Sequence, residues 1–230
     1  MGVGGGAVNR FTRFVVNGPA RRAYTSTIRD DQARATRRKI VNAAAELFRR
    51  DGYAATTIDA IAAAAGVSRK TVFAVGGNKF ALLKNAFDWS LVGDDEPIAM
   101  ADREPVRRII ATTDPAEAVR RWAEMITETA GRTAPIGAVL VAAAQVDPDA
   151  AAMLRVSDAH RLAGARAFVD HLASIGGLRT GLNRVEAADL CWLAMGHEVY
   201  QRLVVQRGWA PERYRQWLTA AVGRELLDRG

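Results

Sequence analysis

An all-α fold is predicted by three features of the sequence. Apolar residues recur at three- and four-residue spacing along most of its 230 residues, and few stretches alternate apolar with polar as a half-buried strand would. Alanine, the strongest helix former, is abundant. Proline is scarce, with seven in the chain. A chain of this length with 49% hydrophobic residues can bury one large core or two modest ones. No run approaches the roughly 18 apolar residues that a membrane span requires. The single cysteine, Cys191, can form no internal disulfide and no CxxC metal site, which fits a reducing cytoplasm.

The net charge of +7 is unevenly placed. Residues 1–84 hold 15 Lys and Arg against 5 Asp and Glu, whereas residues 85–230 hold 17 against 20. A basic footprint confined to one third of the chain suits a polyanion, because each phosphate neutralised by Lys or Arg releases condensed counterions. On charge alone a solvated, arginine-rich surface would read the same way.

Residues 1–32 read as a flexible basic tail. MGVGGGAVNR is glycine-rich, and Arg10, Arg13, Arg21, Arg22 and Arg29 precede the first acid, Asp30. A minor-groove arm, an organelle-type presequence and a segment without function all fit that composition. Residues 33–78 form the first structured unit. Ile40, Ala43, Ala44, Leu47 and Phe48 give one helix an apolar stripe, and Gly52 ends it. Thr56-Thr57-Ile58-Asp59 then offers a hydroxyl cap, with an acid three residues after Thr56, for a short second helix to about Ala65. Gly66 makes the next turn, the small Ala62 allows a close helix crossing, and Ile61, Ala65, Val67, Val72 and Val75 fall at buried spacings. That is the pattern of a helix-turn-helix, whose second helix enters the major groove. Ser68, Arg69, Lys70 and Thr71 load the first turn of this helix, the part that reaches base edges and points unpaired N–H groups at anions. Asn78 caps a connecting helix over residues 79–92, with Lys79 at its N-terminus.

Residues 93–230 read as a second, helical unit. GDDEP at 93–97 is an acidic break. Asp114-Pro115 opens a helix with the stripe Val119, Trp122, Ala123, Ile126 and Ala130, and an apolar helix follows from about Ala134 to Val146. Asp147-Pro148 begins a long helix to about Ile175, and two last helices span roughly 184–206 and 211–229. No catalytic constellation emerges. His160 and His171 are about 16 Å apart along one helix at 1.5 Å per residue, too far to share a metal. His197 is isolated, and Cys191 beside Trp192 suits a buried thiol. No catalytic residue, metal ligand or cofactor is therefore assigned. Trp122, Met125, Ile126, Met153, Phe168, Trp192 and Met195 could line an apolar pocket, and each also suits ordinary core packing. Tyr200, Leu203, Tyr214, Trp217, Leu218, Ala221 and Val222 give the last two helices wide apolar faces. Such faces point to a two-fold interface between copies, with monomer core as the alternative.

Gly52-Tyr53-Ala54-Ala55-Thr56-Thr57-Ile58, Ile61-Ala62, Ala65-Gly66-Val67-Ser68, Thr71-Val72-Phe73, Lys79 and Leu82-Leu83 together resemble the N-terminal domain of the tetracycline-repressor (TetR) family of transcriptional regulators. The resemblance covers about 50 residues. It implies a cytoplasmic homodimer with three DNA-binding helices, a connecting fourth helix, and a divergent helical domain that dimerises and binds a small-molecule effector, apolar or aromatic to match the apolar pocket residues. Its partners would be a palindromic double-stranded DNA operator, the effector and a second copy, with no membrane, and it would act as a ligand-released repressor. Thr57 and Lys79 would touch phosphates, and Ser68, Arg69, Lys70, Thr71 and Phe73 would line the groove. The chain departs from the family at Val75-Gly76-Gly77, where an aromatic residue is usual, and at Phe80, where an acid is preferred. Either Phe80 fills the gap or the glycines leave the end of the recognition helix loose. The departure keeps open an effector-binding or adaptor protein that no longer reads DNA, beside an activator or ligand-independent regulator.

Overall fold

The computed structural model describes residues 20–96 and 98–228, with side chains from residue 31 onward. All regular structure among them is helical. The first helix, α1 (Ala20–Asp51), starts thirteen residues before the expected Ala33, so the second part of the stretch read as tail is helix. The earlier part of that stretch lies outside the described residues. Its buried stripe is Ile40, Val41, Ala44, Leu47 and Phe48. It ends at Gly52, whose amide donates to the Phe48 carbonyl at 3.0 Å.

Three short elements follow: α2 (Ile58–Ala65), α3 (Arg69–Thr71) with a π-helical continuation over Val72–Gly76, and α4 (Lys79–Val92). Each start carries a side-chain cap. The Thr57, Ser68 and Asn78 oxygens accept from the amides of Ala60, Thr71 and Ala81 at 3.1, 3.1 and 2.8 Å. Thr57 rather than Thr56 caps α2, because the Thr56 hydroxyl is buried and donates to the Gly52 carbonyl at 2.8 Å. Gly66 turns the chain between α2 and α3 at φ +67, a left-handed conformation that L side chains rarely adopt.

Gly76 packs bare backbone against α1 and α4: a Cβ on this residue would lie 2.7 Å from Leu82 Cδ2 and 3.1 Å from Ile40 Cγ2. Gly76 is buried, Phe80 is half-buried against the same core, and the end of the recognition helix is packed rather than loose.

The remainder comprises α5 (Glu104–Ile110), α6 (Pro115–Ala143), α7 (Pro148–Ser174), α8 (Arg184–Ala194), α9 (His197–Tyr200) continued as a π-helical stretch over Gln201–Gln206, and α10 (Pro211–Leu226). α6 replaces two expected helices. Pro135 lies inside it, where a lost amide bond costs about 3 kcal/mol, yet Ala134 and Ile136 on either side are buried and hold the helix continuous. Conversely, the single helix expected over 184–206 is broken at Gly196. Gly196 takes an extended conformation, φ −64 and ψ 125, and so turns the chain from α8 into α9.

Two cores result, and α6 runs through both. Its first half contributes Val119, Trp122 and Ile126 to a C-terminal core with α7, α8 and α10. Its second half places Ile136, Val139, Leu140 and Ala143 in the core of α1, α2 and α4. The acidic break is docked as well. Asp95 accepts from Arg34 and Arg38 of α1, Glu96 accepts from Arg34 at 2.6 Å, and Asp94 pairs with Arg103 at 2.7 Å. The two arginines, Arg38 foremost, hold the Asp95 carboxyl well below the usual carboxylate range.

Candidate nucleic-acid interface

The capped turns bring six of the seven predicted DNA-facing residues to the surface of α2 and the recognition helix, with Lys79 at the start of α4. Thr57, Ser68, Arg69, Lys70 and Phe73 are exposed, and Thr71 and Lys79 are half-buried. The Thr57 and Ser68 oxygens accept cap bonds with one lone pair and keep a hydroxyl proton, which can be donated outward. The Ser68 and Thr71 hydroxyls are hydrogen-bonded to each other at 2.8 Å, either one being able to donate.

The cations differ in how free they are. Lys70 pairs with none of the described carboxylates. Arg69 donates to Asp59 at 2.6 Å and lies 5.6 Å from the Phe73 ring centroid, so two neighbours orient it. That ion pair is exposed on both sides and therefore weak, readily exchanged for a stronger anion. Phe73 itself is 47% exposed, an apolar ring on the outside of a helix with no hydroxyl for a phosphate. Its available contact is apolar, of the kind a thymine methyl offers. Lys79 donates to the Ala54 carbonyl at 3.1 Å, with Nζ 4.6 Å from the Tyr53 ring centroid, and burial lowers its pKa.

Two further exposed cations, Arg37 and Lys39 of α1, also lack a described carboxylate partner. The sequence carries a signal for them, since neither has an acid three or four residues away. Tyr53, which the sequence motif includes without a role, donates its hydroxyl to Asp147 at 2.5 Å.

The predicted effector residues divide. Trp122, Ile126 and Phe168 are buried in the C-terminal core, with Met125, Trp192 and Met195 packed against it, and the Trp122 and Phe168 rings stack at 5.0 Å. Met153 is not with them. It lies on the first half of α7 and packs against the core of α1 and α4. Cys191 is buried in the C-terminal core, and burial pushes its thiol up to about 12.

The expected dimer residues also divide. Tyr200, Tyr214, Leu218 and Val222 are buried within the chain's own core. Leu203, Trp217 and Ala221 are half-buried. Exposed apolar side chains in this region are Val205 and, on α8, Val185, Leu190 and Leu193. The three on α8 lie opposite Ala187, Ala188 and Cys191, which face the core.

No helix among the described residues is long and apolar enough to cross a membrane. Comparison with curated proteins finds no match to the sequence. Among solved structures the fold is shared with the fatty acid degradation regulator FadR from Bacillus halodurans. That pair has a TM-score of 0.67 and 16% identity over 82% of this chain and 94% of the other. It is shared with NalD, the secondary repressor of the MexAB-OprM multidrug efflux pump in Pseudomonas aeruginosa, at TM-score 0.61 and 17% identity over 86% and 100%. A SmeT–triclosan complex gives a TM-score of 0.63 and 18% identity over 85% and 93%. The family model for bacterial regulatory proteins of the tetR family matches residues 40–86, the segment from the stripe of α1 to the middle of α4. Residues 40–86 thus match the DNA-binding domain of the tetR family of bacterial regulatory proteins, within a chain whose all-helical fold resembles that of the solved regulators.

Proposed function

We propose that the protein is a homodimeric repressor that leaves a palindromic operator when a small apolar or aromatic effector enters its C-terminal core. The observation that carries this reading is the continuity of α6. One helix holds Trp122 and Ile126 against the aromatic C-terminal core and Leu140 against the core that supports the recognition helix. A ligand that displaces the first half of α6 must move or strain the second, because packed cores shift between discrete arrangements rather than deform smoothly. The exposed turn from Ser68 to Thr71 is the surface that would then lose its fit to DNA. Repression and ligand release are supported by NalD, a named repressor, and by the triclosan held by SmeT. The packed Gly76 gives the recognition helix an ordered end, which supports DNA reading over an adaptor role.

An effector weakens DNA binding only by binding one conformation better, so the operator must weaken effector binding by the same factor. Triclosan is a suitable first probe, followed by other apolar aromatics, with tryptophan fluorescence as the readout. A compound that releases the operator is expected to bind about 5- to 150-fold more weakly when operator DNA is present. Equal affinity with and without DNA, for a compound that does release it, contradicts the coupling.

A further inference from the structure

One hydrogen bond joins the corner between α6 and α7 to the DNA-binding unit across 94 positions of sequence. Asp147 uses its two carboxylate oxygens differently. Oδ1 accepts from the amides of Asp149 and Ala150 at 2.9 and 3.3 Å and so caps α7, while Oδ2 accepts from the Tyr53 hydroxyl at 2.5 Å. Tyr53 stands in the turn between α1 and α2, buried, with its ring 5.6 Å from that of Phe48. Over the same ring lies Lys79 Nζ, which also donates to Ala54 in that turn. The order of contacts is therefore α7 cap, Asp147, Tyr53 ring, Lys79. Each partner has little freedom to find a substitute. The phenol has one proton to donate, Oδ1 is occupied by the cap, and Lys79 is held between a ring and a carbonyl. The hydrogen bond to Tyr53 is the foremost reason the Asp147 carboxyl titrates below its ordinary range, and a charge-assisted bond of this kind is stronger than a neutral one.

We propose that Asp147 and Tyr53 act as a latch that positions Lys79 on the DNA-facing surface and carries displacement of the α6–α7 corner to it. Asp147 is a positioning residue, more than a helix cap, and Tyr53 is its relay. This rests on the DNA-binding reading above and specifies how the two cores are coupled at one lysine.

The test uses the full-length chain and an operator fragment selected with the wild-type protein from random duplex DNA. Tyr53→Phe keeps the ring and removes the bond. Asp147→Ser keeps a capping oxygen for α7 and removes the acceptor that Tyr53 uses. Each is expected to weaken operator binding about five- to tenfold, at the low end of allosteric couplings, and the double variant to be no weaker than either single one. In a Lys79→Ala background neither change should matter, because the group they position is gone. Variants that bind as wild type while melting at a lower temperature would make the contact structural only and overturn the latch. Losses that persist undiminished beside Lys79→Ala would also overturn it, by excluding Lys79 as the point of action. If Asp147→Ser fails to fold, Tyr53→Phe in the two backgrounds decides alone. A wild-type chain that selects no DNA at all overturns the DNA-binding reading together with the latch; wild-type binding with unaffected variants overturns the latch alone.

Discussion

Lys70→Ala combined with Thr71→Ala is expected to remove specific DNA binding while leaving the fold intact. Lys70 is exposed and pairs with none of the described acids, so its loss breaks no internal contact. The cap bond at Thr71 runs from its backbone amide to Ser68 and survives truncation of the side chain. What disappears is a cation and a hydroxyl on the turn nearest the groove. Each lost contact is expected to weaken binding by roughly 1 to 3 kcal/mol, which compounds to between about thirtyfold and more than ten-thousandfold. Thermal melts followed by circular dichroism should coincide with wild type, while gel-shift titration should show the loss. Full affinity in the double variant would mean that this helix does not enter the groove.

A glutamate at Leu193 and one at Leu218 should behave oppositely. Leu193 is 62% exposed on α8, and Val185 on the same face is 66% exposed, a placement that suits contact with a second copy. Leu193→Glu sets a further charge beside Asp189 on that face. Opposite its symmetry mate, it should give a folded monomer at micromolar concentration in sedimentation. Losing the second recognition helix should then weaken operator binding by about 10²- to 10⁴-fold, the usual gain from bivalence. Leu218 is fully buried, and a carboxylate there has no partner, so Leu218→Glu should unfold the C-terminal core. A folded monomer from Leu218→Glu, or an undisturbed dimer from Leu193→Glu, would put the interface elsewhere.

The N-terminal unit was legible because its signals are local. Thr57, Ser68 and Asn78 are capping residues at helix starts, and Gly66 takes a backbone conformation that L side chains rarely adopt. Those choices are made by a residue and its near neighbours, and the sequence displays them. What failed depends on distant partners. An apolar stripe records that a face is buried but not by what, so Tyr214 and Leu218 read equally well as interface or core until α6 is seen against them. Met153 looked like the other apolar side chains of its helix, yet α7 spans two cores and this part of it belongs to the first. Pro135 marks a break by its chemistry, and packing on both sides overrode it. Asp95 and Glu96 read as part of an acidic break because their arginine partners, Arg34 and Arg38, lie some sixty positions away. A longer separation, 94 positions, hid the bond between Tyr53 and Asp147, two residues whose individual roles in a turn and a cap give no sign of each other.

In the proposed function, the exposed turn from Ser68 to Thr71 reads a specific DNA sequence. The most direct test is a gel-shift titration of the full chain on the DNA upstream of its own coding region, repeated over a range of salt and against unrelated competitor duplex. Specific binding should survive excess competitor and weaken linearly in log affinity against log salt, with a slope of about −0.9 for each phosphate neutralised. Binding that unrelated DNA removes equally well, or no binding at low salt to the upstream DNA or to any sequence selected from a random pool, would contradict the account.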